Sequence, residues 1–142
     1  DEMFFECVKI AKKVLLREIT QARDLIVSEE AIEEIYKNTE DKRMLVFDKN
    51  YPSAEVLQSL PEPLYAIYPR VDNTWGAKAI RNNIKSFKNR KDFPSSWAGL
   101  KDQELQKISG VEDAVFCHRK LFMAIAKSKE GAIKLAQIAL ES

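Results

Sequence analysis

The chemistry-bearing side chains of this 142-residue chain are few, and their spacing narrows what they can do. There is one histidine, His118, and there are two cysteines, Cys7 and Cys117. That inventory cannot build a zinc site of four cysteines, or of two cysteines and two histidines. An HExxH metalloprotease motif needs a second histidine and is also absent. A magnesium site made of carboxylates alone is compatible with the count. His118 follows Cys117 directly in a stretch that reads as a strand, so their side chains point to opposite faces and cannot form a local Cys–His pair. His118 can contact a substrate phosphate or carbonyl at a strand end, or make a structural hydrogen bond, the commoner role for a lone histidine. A self-contained enzyme with His118 as general base would need a buried carboxylate partner and an open pocket. Gly76, Gly99, Gly110 and Gly131 are too scattered for GxGxxG or GxxxxGK, so both common nucleotide fingerprints are missing.

The clearest charge asymmetry runs from Trp75 to Lys91. It carries Lys78, Arg81, Lys85, Lys88, Arg90 and Lys91 with no acid, and Arg70 stands just before it. Asn73, Asn82, Asn83 and Asn89 add hydrogen-bonding groups, and Trp75 and Phe87 could stack on bases. Cations interleaved with aromatics are the footprint of a single-stranded nucleic-acid groove. The competing reading is a solvated loop face with its aromatics in the core. A second anion candidate is Lys127-Ser128-Lys129-Glu130-Gly131, where free N–H groups open a helix between two lysines. The same residues also read as simple capping by Ser128, which local chemistry favours.

These residues need a scaffold, and the pattern predicts an α+β one: two N-terminal helices, then a small mostly antiparallel sheet with helices on one face. From Asp1 to about Ile26, Phe4, Cys7, Val8, Ala11, Val14, Leu15, Ala22 and Leu25 form one apolar stripe that must bury on something. Ser28-Glu29-Glu30 reads as the N-cap of a second helix with Ala31, Ile32, Ile35 and Tyr36 inside. A short strand at Met44–Phe47, a helix at Ala54–Leu60 and a hairpin of Leu64–Val71 with Thr74–Ile80 follow. Residues 82–94 read as a structured loop. A helix over Asp102–Ile108 stops at Ser109-Gly110. Strands at Ala114–His118 and Leu121–Ala126 lead to a last helix, Lys129–Glu141, with Ala132, Ile133, Ala136, Ala139 and Leu140 buried. Phe116, Phe122 and Met123 are assigned to the core, and Trp97 is read as a core plug.

Composition bounds the rest. Lys and Arg number 23 against 22 acids, so a net charge of +1 gives no global signal for nucleic acid or membrane. Glycine (4) and proline (5) are too sparse for a disordered or collagen-like chain. No apolar run approaches the roughly 20 residues of a membrane span, and no signal-peptide pattern is present. Two distant cysteines fit a reducing compartment, so a cytoplasmic protein with no membrane partner is expected. The chain enters a helical pattern at Asp1-Glu2-Met3, which is expected of a piece of a longer protein; a tag-cleaved whole small protein is the other reading.

Together the motifs resemble the "melanocyte proliferating gene" family, also described as a metal-dependent protein hydrolase related to DHH-type phosphoesterases. Tyr68-Pro69 with Asn73 and Trp75 carry the resemblance on the hairpin, followed by Pro94 and Trp97. Trp97-Ala98-Gly99-Leu100-Lys101-Asp102-Gln103-Glu104-Leu105 resembles the family's "WRGLRDEEL", and Ser109-Gly110-Val111 its "SGI". Phe116-Cys117-His118 with Phe122 resembles "F-V/C-H…F", and Lys127-Ser128-Lys129-Glu130-Gly131-Ala132 resembles "KTREGAL". Order and spacing fit from about Leu64 to Leu140, and the N-terminal helices fit in character.

The resemblance implies a C-terminal accessory domain. In such proteins an N-terminal DHH-like domain binds Mn²⁺ or Mg²⁺ and hydrolyses phosphodiesters, RNA in the eukaryotic relatives, by metal-assisted attack of water. Residues 1–27 would be the helix leading from that domain, and residues 28–142 an accessory unit compact with it. The implied partners are that N-terminal domain and single-stranded RNA, with a homodimer as a further possibility. His118, Arg119, Lys120, Lys127, Lys129, Arg81, Lys85, Lys88 and Arg90 are the candidate substrate- or phosphate-binding residues; no catalytic or metal residue is expected in this chain. The alternative class is a structural or oligomerisation domain built on the first helix. The sequence departs from the family at "H-A-S-G-F-I-G-G", which here reads His118-Arg119-Lys120-Leu121-Phe122-Met123-Ala124-Ile125. Paired glycines let backbone N–H groups approach a phosphate. Ala124 and Ile125 block that approach, which moves the ligand contact to Arg119 and Lys120 or weakens it.

Overall fold

In the computed structural model, which describes residues 1–142, four α-helices and five strands follow one another. They are α1 (Glu2–Asn38), β1 (Met44–Val46), α2 (Ala54–Ser59), β2 (Tyr65–Pro69), β3 (Trp75–Ala79), α3 (Asp102–Ser109), β4 (Ala114–Cys117), β5 (Met123–Ala126) and α4 (Lys129–Glu141). A 3₁₀ turn at Ser95–Trp97 precedes α3. The strands form one sheet in the order β1-β2-β3-β5-β4; only the β1–β2 pair is parallel. No helix is long and apolar enough to cross a membrane.

Alternation along the strands sends two different sets of side chains to the two faces. Tyr65, Ile67, Ala77, Ala79, Cys117, Ala124 and Ala126 pack on Ala132, Leu135, Ala136 and Ala139 of α4. Alanines on both sides bring that helix close to the sheet. Phe93 and Trp97 close the end of this core, their rings 6.1 Å apart, and Trp97 is only 2% exposed, as a core plug should be. Leu135 is fully buried although it lay outside the predicted stripe, whereas Ile133 and Leu140 are half-buried. On the opposite face, Leu45, Phe47, Ala66 and Ile80 pack on Ile32 of α1 and on Val56 and Leu57 of α2. These helices close only the β1–β2 side. Tyr68, Lys78, Met123 and Phe116 are left on a sheet face open to solvent.

Three expectations are corrected here. The two N-terminal helices are one, α1, of 37 residues. No glycine or proline interrupts residues 1–51, and Ser28 does not cap: its hydroxyl donates back to the Asp24 carbonyl at 2.5 Å inside the helix. The helix ends instead at Thr39, where Lys42 Nζ donates to the carbonyls of Tyr36 and Thr39 at 2.5 and 2.8 Å. The apolar stripe of the first helix is not buried in this chain. Residues 1–27 are exposed throughout, an overhang of about 39 Å at 1.5 Å per residue. Finally, Phe116, Phe122 and Met123 are half-buried rather than core, because they lie on or beside the open sheet face.

Candidate nucleic-acid interface

Antiparallel register brings one set of candidates to one end of the sheet. Lys78 pairs with Met123, and Ala79 N–H donates to Phe122 O at 2.8 Å. The end of β3, the end of β4 and the start of β5 therefore meet. Lys78, Arg81, His118, Arg119, Lys120 and the 82–91 loop all gather there. Lys127 and Lys129 follow the other end of β5, about 14 Å away over four residues.

The 82–91 loop is closed by an Arg81–Asn89 bridge and by Asn82 N–H donating to Lys88 O at 2.9 Å. That closure leaves Phe87 outside: it is 87% exposed, with the Arg81 guanidinium 5.0 Å from its ring centre. Lys85 and Lys88 flank it, exposed and without ion-pair partners. Phe87 is therefore not a core aromatic. Trp75 is half-buried under Lys129, whose Nζ lies 5.7 Å from its ring.

Two of the basic residues do structural work. Arg90 donates to the carbonyls of Leu60, Pro63 and Gln58 at 2.7, 2.9 and 3.0 Å. It ties the end of α2 to the loop, as cations do at helix C-termini. Lys91 does the same for α4 through Leu140 O and Ser142 O at 2.9 and 3.0 Å.

His118 lies in the β4–β5 turn, half-buried, with its ring 4.3 Å from Phe122 and 6.1 Å from Phe116. Its Nδ1 accepts from the Lys120 N–H at 3.0 Å. In the neutral ring this assigns the remaining proton to Nε2, a donor suited to a phosphate or carbonyl oxygen. The only hydrogen-bond partner on its ring is that backbone N–H, not the carboxylate a general base needs. Cys117 points the other way, fully buried under α4, and burial pushes its thiol up to about 12. Leu121 closes the turn at φ +60°, the left-handed conformation that a glycine adopts freely. Ala124 and Ile125 lie within β5, which is paired on both sides by β3 and β4. Their place in two ladders leaves no loop there to cradle a phosphate.

The start of α4 carries its own anion. Ser128 Oγ accepts from Gly131 N–H at 3.0 Å, while the Asp113 carboxylate accepts from the Ser128 N–H at 2.8 Å and from its hydroxyl. A Cβ on Gly131 would collide with that carboxylate. Lys127 and Lys129 thus flank a helix start already neutralised from within.

The open face also carries Tyr68, Lys101 and Lys78. The Tyr68 ring lies across Gly76, where an added Cβ would meet it at 2.8 Å, and its hydroxyl donates to Met123 Sδ at 3.4 Å. Burial pushes the Tyr68 phenol up. Lys101, bridged to Phe116, sets its ammonium 5.8 Å from that ring. Burial, then the nearby Arg81 charge, holds the Lys78 ammonium below its ordinary value, although the side chain still reaches solvent. A lysine between two alanines in a strand was the available signal that Lys78 faces away from the core. Tyr68 and Lys101 stand in the family-like motifs, but nothing local placed them on this face. The chain's own residues do not fit a divalent-metal centre, since no three His, Cys, Asp or Glu side chains converge.

Comparison with known proteins gives a consistent family. The family model "MYG1_exonuc: Uncharacterised protein family (UPF0160)" matches residues 1–140. A MYG1 protein of Dictyostelium discoideum is 30% identical over 117 residues, covering 78% of this chain and 36% of that protein. A MYG1 protein of Schizosaccharomyces pombe is 24% identical over 153 residues, covering 99% of this chain and 47% of its own length. A human protein named MYG1 exonuclease is 29% identical over 76 residues, covering 54% of this chain and 20% of its own length. The chain thus spans less than half the length of these relatives. No solved structure matches.

Proposed function

This chain belongs to the MYG1 family, UPF0160, and from that premise we propose that it is the C-terminal accessory, substrate-binding part of a nuclease-type, DHH-like hydrolase. It holds a single-stranded nucleic acid, RNA in the first instance, while the hydrolytic Mn²⁺ or Mg²⁺ centre belongs to the rest of the polypeptide. The observation that carries this is the exposed Phe87 in an acid-free loop between Lys85 and Lys88, beside the open sheet face. Aromatic faces accept any base, and unpaired cations follow the phosphates. His118 Nε2–H, Arg119 and Lys120 supply donors at the same sheet end. The name of the human relative, an exonuclease, supports the reaction class. The test is a gel shift of labelled single-stranded RNA on this chain, with and without Mn²⁺, at ~50 and ~200 mM salt. The expected result is a salt-sensitive shift without cleavage, lost in the Lys85→Glu/Lys88→Glu variant. Parent-like binding by that variant overturns the reading.

A second reading rests on α1. Phe4, Val8, Val14, Leu15, Ile19 and Leu25 are exposed on its overhang, a larger apolar surface than an isolated helix carries comfortably in water. In this reading residues 1–27 pack against the rest of the polypeptide or a second copy, and the unit is an interaction domain. Light scattering across a concentration series decides: a concentration-independent monomer that binds RNA counts against it.

A further inference from the structure

We propose that the cleft between α2 and the β2–β3 pair seats a single phosphorylated nucleotide, with the phosphate on Lys78 and Arg81 and the nucleoside on the apolar floor. The inference rests on the nucleic-acid reading above and gives the bound strand an end. The cleft holds a cavity of about 170 Å³, by itself below the ~300–1,000 Å³ of small-molecule sites. Leu57, Ala66 and Ile80 form its floor, and Ser53, Lys78 and Arg81 stand on its walls. A neighbouring cavity of about 180 Å³ extends it, sharing Ser53, Ala66 and Lys78 and adding the Tyr68 and Phe47 rings. An anion-bearing planar molecule matches this combination of apolar floor and clustered donors.

The donors have no internal acceptor. No aspartate or glutamate lines either hollow. Arg43 and Arg70 have their aspartates, and Arg90 and Lys91 have their carbonyls. Lys78 and Arg81 have neither, and Ser53 sits at the start of α2 with its hydroxyl making no capping bond. Two cations and a hydroxyl thus face one cavity without a counter-charge. Burial first, and then the Arg81 charge, lower the basicity of Lys78, and a phosphate offsets the second of these. Arg81 also lies against Phe87, so the cleft is continuous with the proposed strand-binding loop.

The test is nuclear magnetic resonance of the 142-residue chain with five probes. They are uridine monophosphate, uridine, inorganic phosphate, and an oligouridylate with or without terminal phosphates. Saturable shifts at Ser53, Lys78 and Arg81 are expected with the phosphorylated probes and not with uridine. Lys78→Met and Arg81→Met should each weaken that binding at least tenfold, with unchanged melting temperatures showing that both variants fold. Preference for the mononucleotide assigns a free nucleotide; preference for the end-phosphorylated strand assigns a strand terminus. Inorganic phosphate binding as tightly as the mononucleotide overturns the nucleotide assignment. Shifts confined to residues 82–91 with every oligonucleotide overturn the cleft while leaving the single-strand reading standing. If no probe moves any resonance, both fall.

Discussion

Removing the Arg90 side chain should destabilise the fold without touching RNA affinity, although Arg90 stands in the same basic run as Lys85 and Lys88. The guanidinium donates to three carbonyls, of Gln58, Leu60 and Pro63, between 2.7 and 3.0 Å. Hydrogen bonds from a charged donor contribute about 1.5–3 kcal/mol each when buried. The three are not additive, since one planar group makes them all and water reaches part of it. A net loss of about 2–3 kcal/mol for Arg90→Met follows. Roughly 3–4 °C per kcal/mol for a chain of this size puts the fall in melting temperature at about 6–12 °C. Urea and thermal denaturation followed by circular dichroism measure this directly. Arg90→Lys should recover only part of it, because an ammonium cannot reach three carbonyls in the guanidinium's plane. RNA affinity of Arg90→Met, measured well below its melting temperature, should stay within about twofold of the parent. A stability loss under ~0.5 kcal/mol, together with weakened RNA binding, would refute the structural assignment of Arg90.

Other perturbations separate binding from folding in the same way. Phe87→Ala should weaken single-stranded RNA by roughly 5- to 100-fold through lost stacking, with no change in melting temperature, by fluorescence anisotropy and calorimetry. Gly131→Ala should cost about 1–3 kcal/mol in urea denaturation, because the new methyl displaces the Asp113 carboxylate that holds Ser128. A thiol reagent should titrate one cysteine, the exposed Cys7, in the native chain and two in denaturant, since Cys117 is buried with its thiol pushed up to about 12. The Arg43 side chain, then its backbone N–H, holds Asp41 at about 2 against 3.8. Its folded value is the lower one, so its contribution is present above about pH 4 and lost as pH falls toward 2. The urea midpoints of Asp41→Asn and parent should converge over that window.

Local signals were enough for the elements whose ends are set by their own residues. Ser128 caps α4, Gly110 ends α3 at φ +73°, and the Asp72-Asn73 turn joins β2 to β3, all as spacing and turn chemistry require. The opposed directions of Cys117 and His118 also followed from strand alternation. The family was legible in short motifs from Leu64 onward, and the match over residues 1–140 agrees.

Local patterning misled where a residue had two possible partners. Ser28 looks like a cap, but with no breaker nearby the helix runs through it and its hydroxyl turns to Asp24. Lys85, Lys88, Arg90 and Lys91 are alike in a sequence window. Only the fold brings the ends of α2 and α4 under Arg90 and Lys91 and leaves Lys85 and Lys88 in solvent. The start of α4 offers N–H groups to any anion, and the anion is Asp113, from a residue fifteen positions earlier. Periodicity decides which residues share a face. Which face is then covered, which cation finds a carbonyl and which aromatic stays in water depend on contacts between segments far apart in the chain, and no local preference encodes those.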